Sequence, residues 1–435
     1  MAIMIDQTNH VSCQQIHEDF DMKFSNILLI ATFVAIPFVQ SSNADDWKNF
    51  RGPGGQGYSS ETNLPSQWSD DENLTWKIQL PGAGSSSPIA LGDKLYVTCF
   101  SGHGIKSGEG SLANLKLHLV CVDSKDGNLE WDTKLDAIQP ESIRVRDHGY
   151  AAATPATDGK HIYVFFGKTG VIKFDLNGKK IWQTSVGDGV DKWGSGTSPV
   201  LYKNLVIVNA SVESGSVVAI DKESGVEKWR VKSMNKSWST PHLVDVGGKQ
   251  ELVVNSKNEI LAYDPATGDE LWKCEGIPDY VCPSIVSHKG VVYVLGGRTS
   301  MTVAVQAGGK GDVKQLWRAR VGANVTSPVV YEDHLYWVSD RNTTAYCLKL
   351  SDGEVVYKKR VDSQPYASSV IADGKIYVVT RRGGTIVLAA KPEFEELANN
   401  KLTDDAQFNA SPIVSGGKLY LRSDQNLYCI ANQGS

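Results

Sequence analysis

Long apolar runs are nearly absent from this sequence. The one candidate, Ile27–Val39, has about 13 residues, short of the ~20 that a helix needs to cross a bilayer. An excess of positive charge is absent too. Lys and Arg number 44 against 49 Asp and Glu, a net charge of −5, which argues against a nucleic-acid partner. Cysteine is sparse at seven residues, with no CxxC, and the nine histidines are scattered without HExxH or an EF-hand loop. No metal site and no catalytic set is assigned on that basis. Glycine (41 residues) and large rings (11 Trp, 16 Tyr) are abundant. Many turns and many rings point to an all-β chain.

The amino terminus reads as an address. Lys23 precedes the apolar run, Ser42-Asn43-Ala44 follows it with small residues at the positions a signal peptidase reads, and Asp45-Asp46 comes next. Residues 22–44 are therefore expected to be a secretory signal cleaved after Ala44. Residues 1–21 are polar and precede Met22; they are expected to be a mis-start or a disordered leader. The mature chain is expected to be exported, periplasmic or extracellular, with no transmembrane segment.

The body repeats itself. A small residue followed by Pro and an apolar run recurs at Ser87, Thr154, Ser198, Thr240, Cys282, Ser327, Ser368 and Ser411, with Ser369 replacing Pro in the seventh copy. After a first interval of 67 residues the spacing stays between 41 and 45. Each copy continues with a turn and a strand such as Lys94–Thr98, a third strand such as 216–221, then a Gly turn and a ring-bearing fourth strand. The rings are Trp131, Trp182, Trp229, Trp272, Trp317 and Tyr357. Positive-φ turns suit the Asp-Gly, Asn-Gly and Ser-Gly pairs between strands three and four.

Four short strands per unit predict an eight-bladed β-propeller of four-stranded antiparallel blades over residues 74–435. Apolar/polar alternation is expected inside each strand, with the rings between blades. The eighth copy ends after 428–432 without a fourth strand, while Leu74–Leu80 with Trp76 lies unassigned at the other end. The amino-terminal strand is thus predicted to complete blade eight and close the ring. Residues 45–73, rich in Gly and Pro, should form an extended tether across a propeller face. In blade seven the charged stretch 391–400 should replace the fourth strand by a helical turn or an irregular outer strand.

Cys121, Cys347 and Cys429 occupy the slot held by Ala219 and Ala262, where a small buried side chain is wanted. Cys274 and Cys282 are close enough to pair across a turn, though spacing alone cannot set connectivity.

The unit Ser-Pro…Tyr-Val…Ala-x-Asp…Gly…Trp reads best in 198–229 and 240–272. It resembles the repeat of pyrroloquinoline-quinone-type β-propellers, and over 74–435 the chain is similar to their exported BamB-like branch. The resemblance implies a binding scaffold in the cell envelope, with an envelope protein or a glycan as partner. For the enzyme members it implies a quinone-dependent oxidoreductase acting on alcohols or sugars, with pyrroloquinoline quinone (PQQ) as cofactor. The adjacent Cys-Cys pair of the methanol-dehydrogenase type and the lipid-attachment Cys of the assembly scaffold are both missing. The reading favoured by the residues is a non-catalytic binding propeller, expected to be a monomer.

Candidate ligand residues sit in the loops just before the small-Pro openings: Arg146, His148, Tyr150, Trp193, Trp238, Tyr280, Asn324, Tyr366 and Phe408. A circle of side chains at a channel mouth could stack on a planar cofactor or sugar; wedging between blades is the alternative. Arg144, Arg146, Asp147 and His148 lie in an insertion, 138–150, between blades one and two. Lys106, Lys173 and Arg381-Arg382 read as rim charges.

Overall fold

The computed structural model describes residues 46–105, 109–382 and 384–433. The leader 1–21, the signal 22–44 and Lys106 lie outside the described residues. Eight antiparallel sheets follow one another along the chain: blade one spans 89–136, two 156–184, three 200–231, four 242–275, five 286–319, six 329–360 and seven 370–401. Blade eight combines 413–430 with Leu74–Gln79. There Trp76 pairs with Cys429 and Lys77 with Tyr428, so the amino-terminal strand latches the ring as the truncated eighth repeat requires. All-β and eight-bladed are both as expected.

The repeated small slot and the repeated ring are partners. Cys121 stands opposite Trp131, Ala219 opposite Trp229, Ala262 opposite Trp272, Ala304 opposite Trp317, Cys347 opposite Tyr357 and Cys429 opposite Trp76. A register shift follows each slot residue, so a bulge re-aims the outer strand beside its ring. The ring then reaches the neighbouring blade. Trp182 Nε1 donates to Lys222 O at 3.0 Å, and Trp317 Nε1 to Leu350 O at 2.9 Å. Gly225 (φ 70°) lies against the Trp182 indole, where a Cβ would sit 2.9 Å from ring carbon. This turn needs glycine for both its backbone and its neighbour.

The hydroxyls of the small-Pro openings form a girdle around the channel. Ser87 N–H donates to Thr154 Oγ1, Thr154 N–H to Ser198 Oγ, and Ser198 N–H to Thr240 Oγ1. The pattern resumes from Ser284 to Ser327, Ser368 and Ser411. At the seam between blades eight and one the buried Arg422 takes over, with Nη1 bonded to Ser86 O and Oγ.

Several expectations need correction. Alternation inside every strand fails: Leu205–Ala210 is buried throughout. Val206 and Val208 pack toward blade two and Leu205 and Ile207 toward blade four. A blade is sandwiched by two neighbours, so both faces of its middle strands are apolar; outer strands such as Glu270–Glu275 do alternate. The charged stretch of blade seven is an outer strand, Glu396–Lys401, with a register shift, rather than a helical turn, because its backbone completes the ladder whatever its side chains. Blade four gains a fifth strand, Gly311–Asp312, parallel to its outer edge. Lys173 is not a rim charge: it fills the slot opposite Trp182, 2 % exposed, its ammonium on Lys222 O and Glu223. All six cysteines among the described residues are free thiols, Cys274 and Cys282 included.

The tether crosses one end of the channel. Trp47 pairs with Ala90 of blade one, Arg51 Nη2 donates to Pro328 O, and Gln56 Nε2 reaches His242 and Ser287. Gly57 and Ser59 bond to Ile371 of blade seven, and Leu64 N–H donates to Asp373.

Candidate functional site

Because the tether blocks one end, the other end of the channel is a blind cavity of about 400 Å³. Phe50 of the tether forms part of its wall and also lines a second cavity of about 300 Å³ on the far side. The girdle residues Ser87, Ser284, Ser327, Ser368 and Ser411 line the first cavity. Above them stand the loop residues that lead into each blade.

Of the nine candidate residues, His148, Trp193, Trp238, Tyr280, Asn324 and Tyr366 line this cavity. Arg146 does not, but its guanidinium lies 4.9 Å from the Trp193 ring. Tyr150 turns away: its ring meets Phe100 edge-on at 5.3 Å and its hydroxyl donates to Ser142 O. Phe408 is 2 % exposed and stacked on Tyr428. Both act as wedges, because the loops bearing them turn their rings into the blade interfaces.

Three Arg–aromatic pairs mark the mouth. Besides Arg146 on Trp193, Arg298 lies 5.3 Å from the Tyr280 ring and Arg381 4.7 Å from Tyr366. Each pair is worth about 0.5–1 kcal/mol where exposed. Trp238 meets Tyr280 edge to face, centroids 6.4 Å apart at 86°, and donates to Gly194 O at 2.8 Å. Tyr280 OH donates to Asn324 Oδ1.

The titratable groups here are engaged. His148 Nδ1 is 3.3 Å from Tyr366 OH, and burial pushes the imidazole below its ordinary value, toward the neutral form. Asp147 accepts from Arg381 Nη2 at 2.9 Å. Asp340 accepts the backbone N–H groups of Asn324 and Val325 at 2.9 Å each, positioning that loop. Burial pushes the Cys282 thiol up to about 12, so it is no thiolate at neutral pH.

Sequence reasoning missed Arg298 and gave Arg381 no partner. A signal was present: Arg298, Arg341 and Arg381 each stand two residues beyond the second strand, in blades five, six and seven. A Ser–His–Asp chain was also missed. Ser101 Oγ is 2.8 Å from His118 Nε2, and His118 Nδ1 is 2.8 Å from Asp132 Oδ1. None of the three lines the cavity. Ser101 is paired within a ladder rather than set on a sharp turn, and His118 is 1 % exposed. The trio is a polar cross-link through three strands of blade one.

The sequence family described as "Outer membrane protein assembly factor BamB" matches residues 58–190, 167–311 and 286–393. The chain belongs to this PQQ-type repeat family. It is 23 % identical over 383 residues to the outer membrane protein assembly factor BamB of Burkholderia pseudomallei, covering 82 % of this chain and 87 % of that protein. It is 24 % identical over 281 residues to a polyvinylalcohol dehydrogenase of a Pseudomonas species, covering 60 % of this chain but 37 % of that enzyme. The solved quinohemoprotein alcohol dehydrogenase of Comamonas testosteroni superposes with a TM-score of 0.64 at 11 % identity, over 90 % of this chain and 81 % of that one. That last likeness shows the fold alone. Among the described residues no helix is long and apolar enough to cross a membrane.

Proposed function

We propose that this protein is an exported, non-catalytic binding propeller that holds a protein or glycan of the cell envelope at the open mouth of its channel. The observation that carries the reading is the blind cavity: the chain's own amino-terminal segment plugs one end, and the other end presents rings and guanidinium groups whose acidic neighbours are already bonded. Such a mouth binds well, and the thiol that lines it, Cys282, is held protonated by burial. Membership of the BamB family supports an envelope location and an envelope partner. The signal-like pattern of residues 22–44 supports export, and a net charge of −5 fits a partner other than nucleic acid.

The second reading, a PQQ-dependent oxidoreductase, draws on the likeness to polyvinylalcohol dehydrogenase. The ring geometry favours the first reading: the neighbouring rings Trp238 and Tyr280 stand at 86°, so this pair does not form two parallel walls about a planar quinone.

Capture from a solubilised envelope fraction tests the proposal. The expected result is a specific partner lost with Trp238→Ala or Arg298→Gln. Dye-linked oxidation of alcohols or aldoses after addition of PQQ and calcium would overturn it.

A further inference from the structure

Charge at the cavity mouth runs against the charge of the chain. The protein carries −5 overall, yet Arg146, Arg298 and Arg381 surround this one opening. Arg341 repeats the same turn position between Arg298 and Arg381 but does not line the cavity. The acids nearby are occupied. Asp147 is paired with Arg381, Asp340 in the cavity wall accepts the backbone N–H groups of Asn324 and Val325, Asp191 is paired with Lys236 at 2.8 Å, and Asp279 accepts the backbone N–H groups of Tyr280 and Arg298. Among the described residues neither Arg146 nor Arg298 forms an ion pair with a carboxylate. Arg146 is thus oriented by the Trp193 ring and Arg298 by the Tyr280 ring and a side-chain hydrogen bond to it, with neither guanidinium bonded to a carboxylate among the described residues.

Trp238 differs from the other rings at the mouth. Trp193, Tyr280 and Tyr366 are each covered by an arginine; Trp238 carries none among the described residues. Its indole N–H donates to Gly194 O, its ring meets Tyr280 at 86°, and it is partly exposed in the cavity. A ring fixed this way, with polar hydroxyls of the serine girdle beneath it, is a platform for the C–H face of a sugar. The volume of about 400 Å³ matches a small ligand or a chain end rather than a protein segment with side chains on both sides.

We propose that the mouth binds a carboxylated sugar: one sugar ring on Trp238, its carboxylate on Arg298 or Arg146. This rests on the binding reading above and narrows its ligand. An acidic peptide would satisfy the charges but not the platform; a neutral sugar would satisfy the platform but leave the guanidinium groups idle.

Calorimetric titration of the purified protein with digalacturonate, its methyl ester, tetraglutamate and PQQ decides it. Digalacturonate should bind, the neutral ester at least tenfold more weakly, and added salt should weaken the former more than the latter. Arg298→Gln alters an exposed side chain, so the fold is kept; it should cost about tenfold for digalacturonate and nothing for the ester. Trp238→Ala should weaken both sugars. Equal binding of ester and acid would overturn the inference while leaving a glycan-binding propeller in place. Tetraglutamate binding as tightly as the sugar would overturn it in favour of a charge-reading peptide site. No sugar binding together with PQQ binding and turnover would remove both the inference and the function on which it rests.

Discussion

Trp68, a tether residue, takes the place beside Tyr377 that blade seven leaves empty. In blades one, two, five and eight a tryptophan of the outer strand tilts against the second-strand tyrosine at 5.8–6.2 Å: Trp131 on Tyr96, Trp182 on Tyr163, Trp317 on Tyr293 and Trp76 on Tyr420. In blade seven the outer strand offers Ala398 opposite Val387. Trp68 lies 6.3 Å from Tyr377 instead, its backbone N–H anchored on Asn400 Oδ1. The tether is therefore a structural part of the ring. Trp68→Ala should destabilise the protein by about 3–5 kcal/mol, as for other buried rings. Urea unfolding checks the magnitude, and proteolysis should cut within 46–68 faster in the variant.

Gly225 should not tolerate a side chain. Gly225→Ala places a Cβ against the Trp182 indole at φ 70°. The backbone alone costs about 1–2 kcal/mol, and moving the indole adds to it. Gly417 also has positive φ (70°), but a Cβ there meets nothing within 4 Å, so Gly417→Ala should cost only the backbone part. The difference between the two melting shifts isolates the packing at the Trp182 dock.

Glu213 should make stability fall as pH rises. It is buried, bonded to Ser195, and its carboxyl is pushed up to about 7, chiefly by burial. The folded state then holds its proton more tightly than the unfolded chain does. The stabilisation is full below the ordinary value of about 4.5 and is lost as pH climbs toward 7, on the order of 3 kcal/mol. Glu213→Gln should abolish this contribution. The stability difference between variant and wild type, taken at pH 5 and pH 8, checks it.

His242 works in the opposite direction. Burial, with Arg51 beside it, lowers its imidazole to about 4. Its contribution is complete above about 6.5 and is lost as pH falls toward 4, again on the order of 3 kcal/mol. Gln56 and Ser287 meet at this histidine, so the strain falls on the tether. Acid should raise protease sensitivity of 46–68 in the wild type and much less in His242→Gln.

The candidate site was half legible. The rings Trp193, Trp238, Tyr280 and Tyr366 were found by their place before each repeat opening, because a propeller sends equivalent positions to equivalent places. Tyr150 and Phe408 hold the same positions yet turn away. Rotamer choice depends on the space between two blades, which no single repeat encodes. Arg381 and Asp147 are 234 residues apart, and their pairing exists only once the ring closes.

The amino-acid sequence by itself determined the blade count, the strand order and the latch at Trp76. Those follow from local turn chemistry and from a repeat that must bury its faces against copies of itself. Only the tertiary structure decided that the tether plugs the channel, that Trp68 stands in for a ring missing from blade seven, and that arginines stack on rings at the open mouth. These depend on contacts between segments that share no repeat position, so their partners are chosen by three-dimensional proximity and by the volume left unfilled.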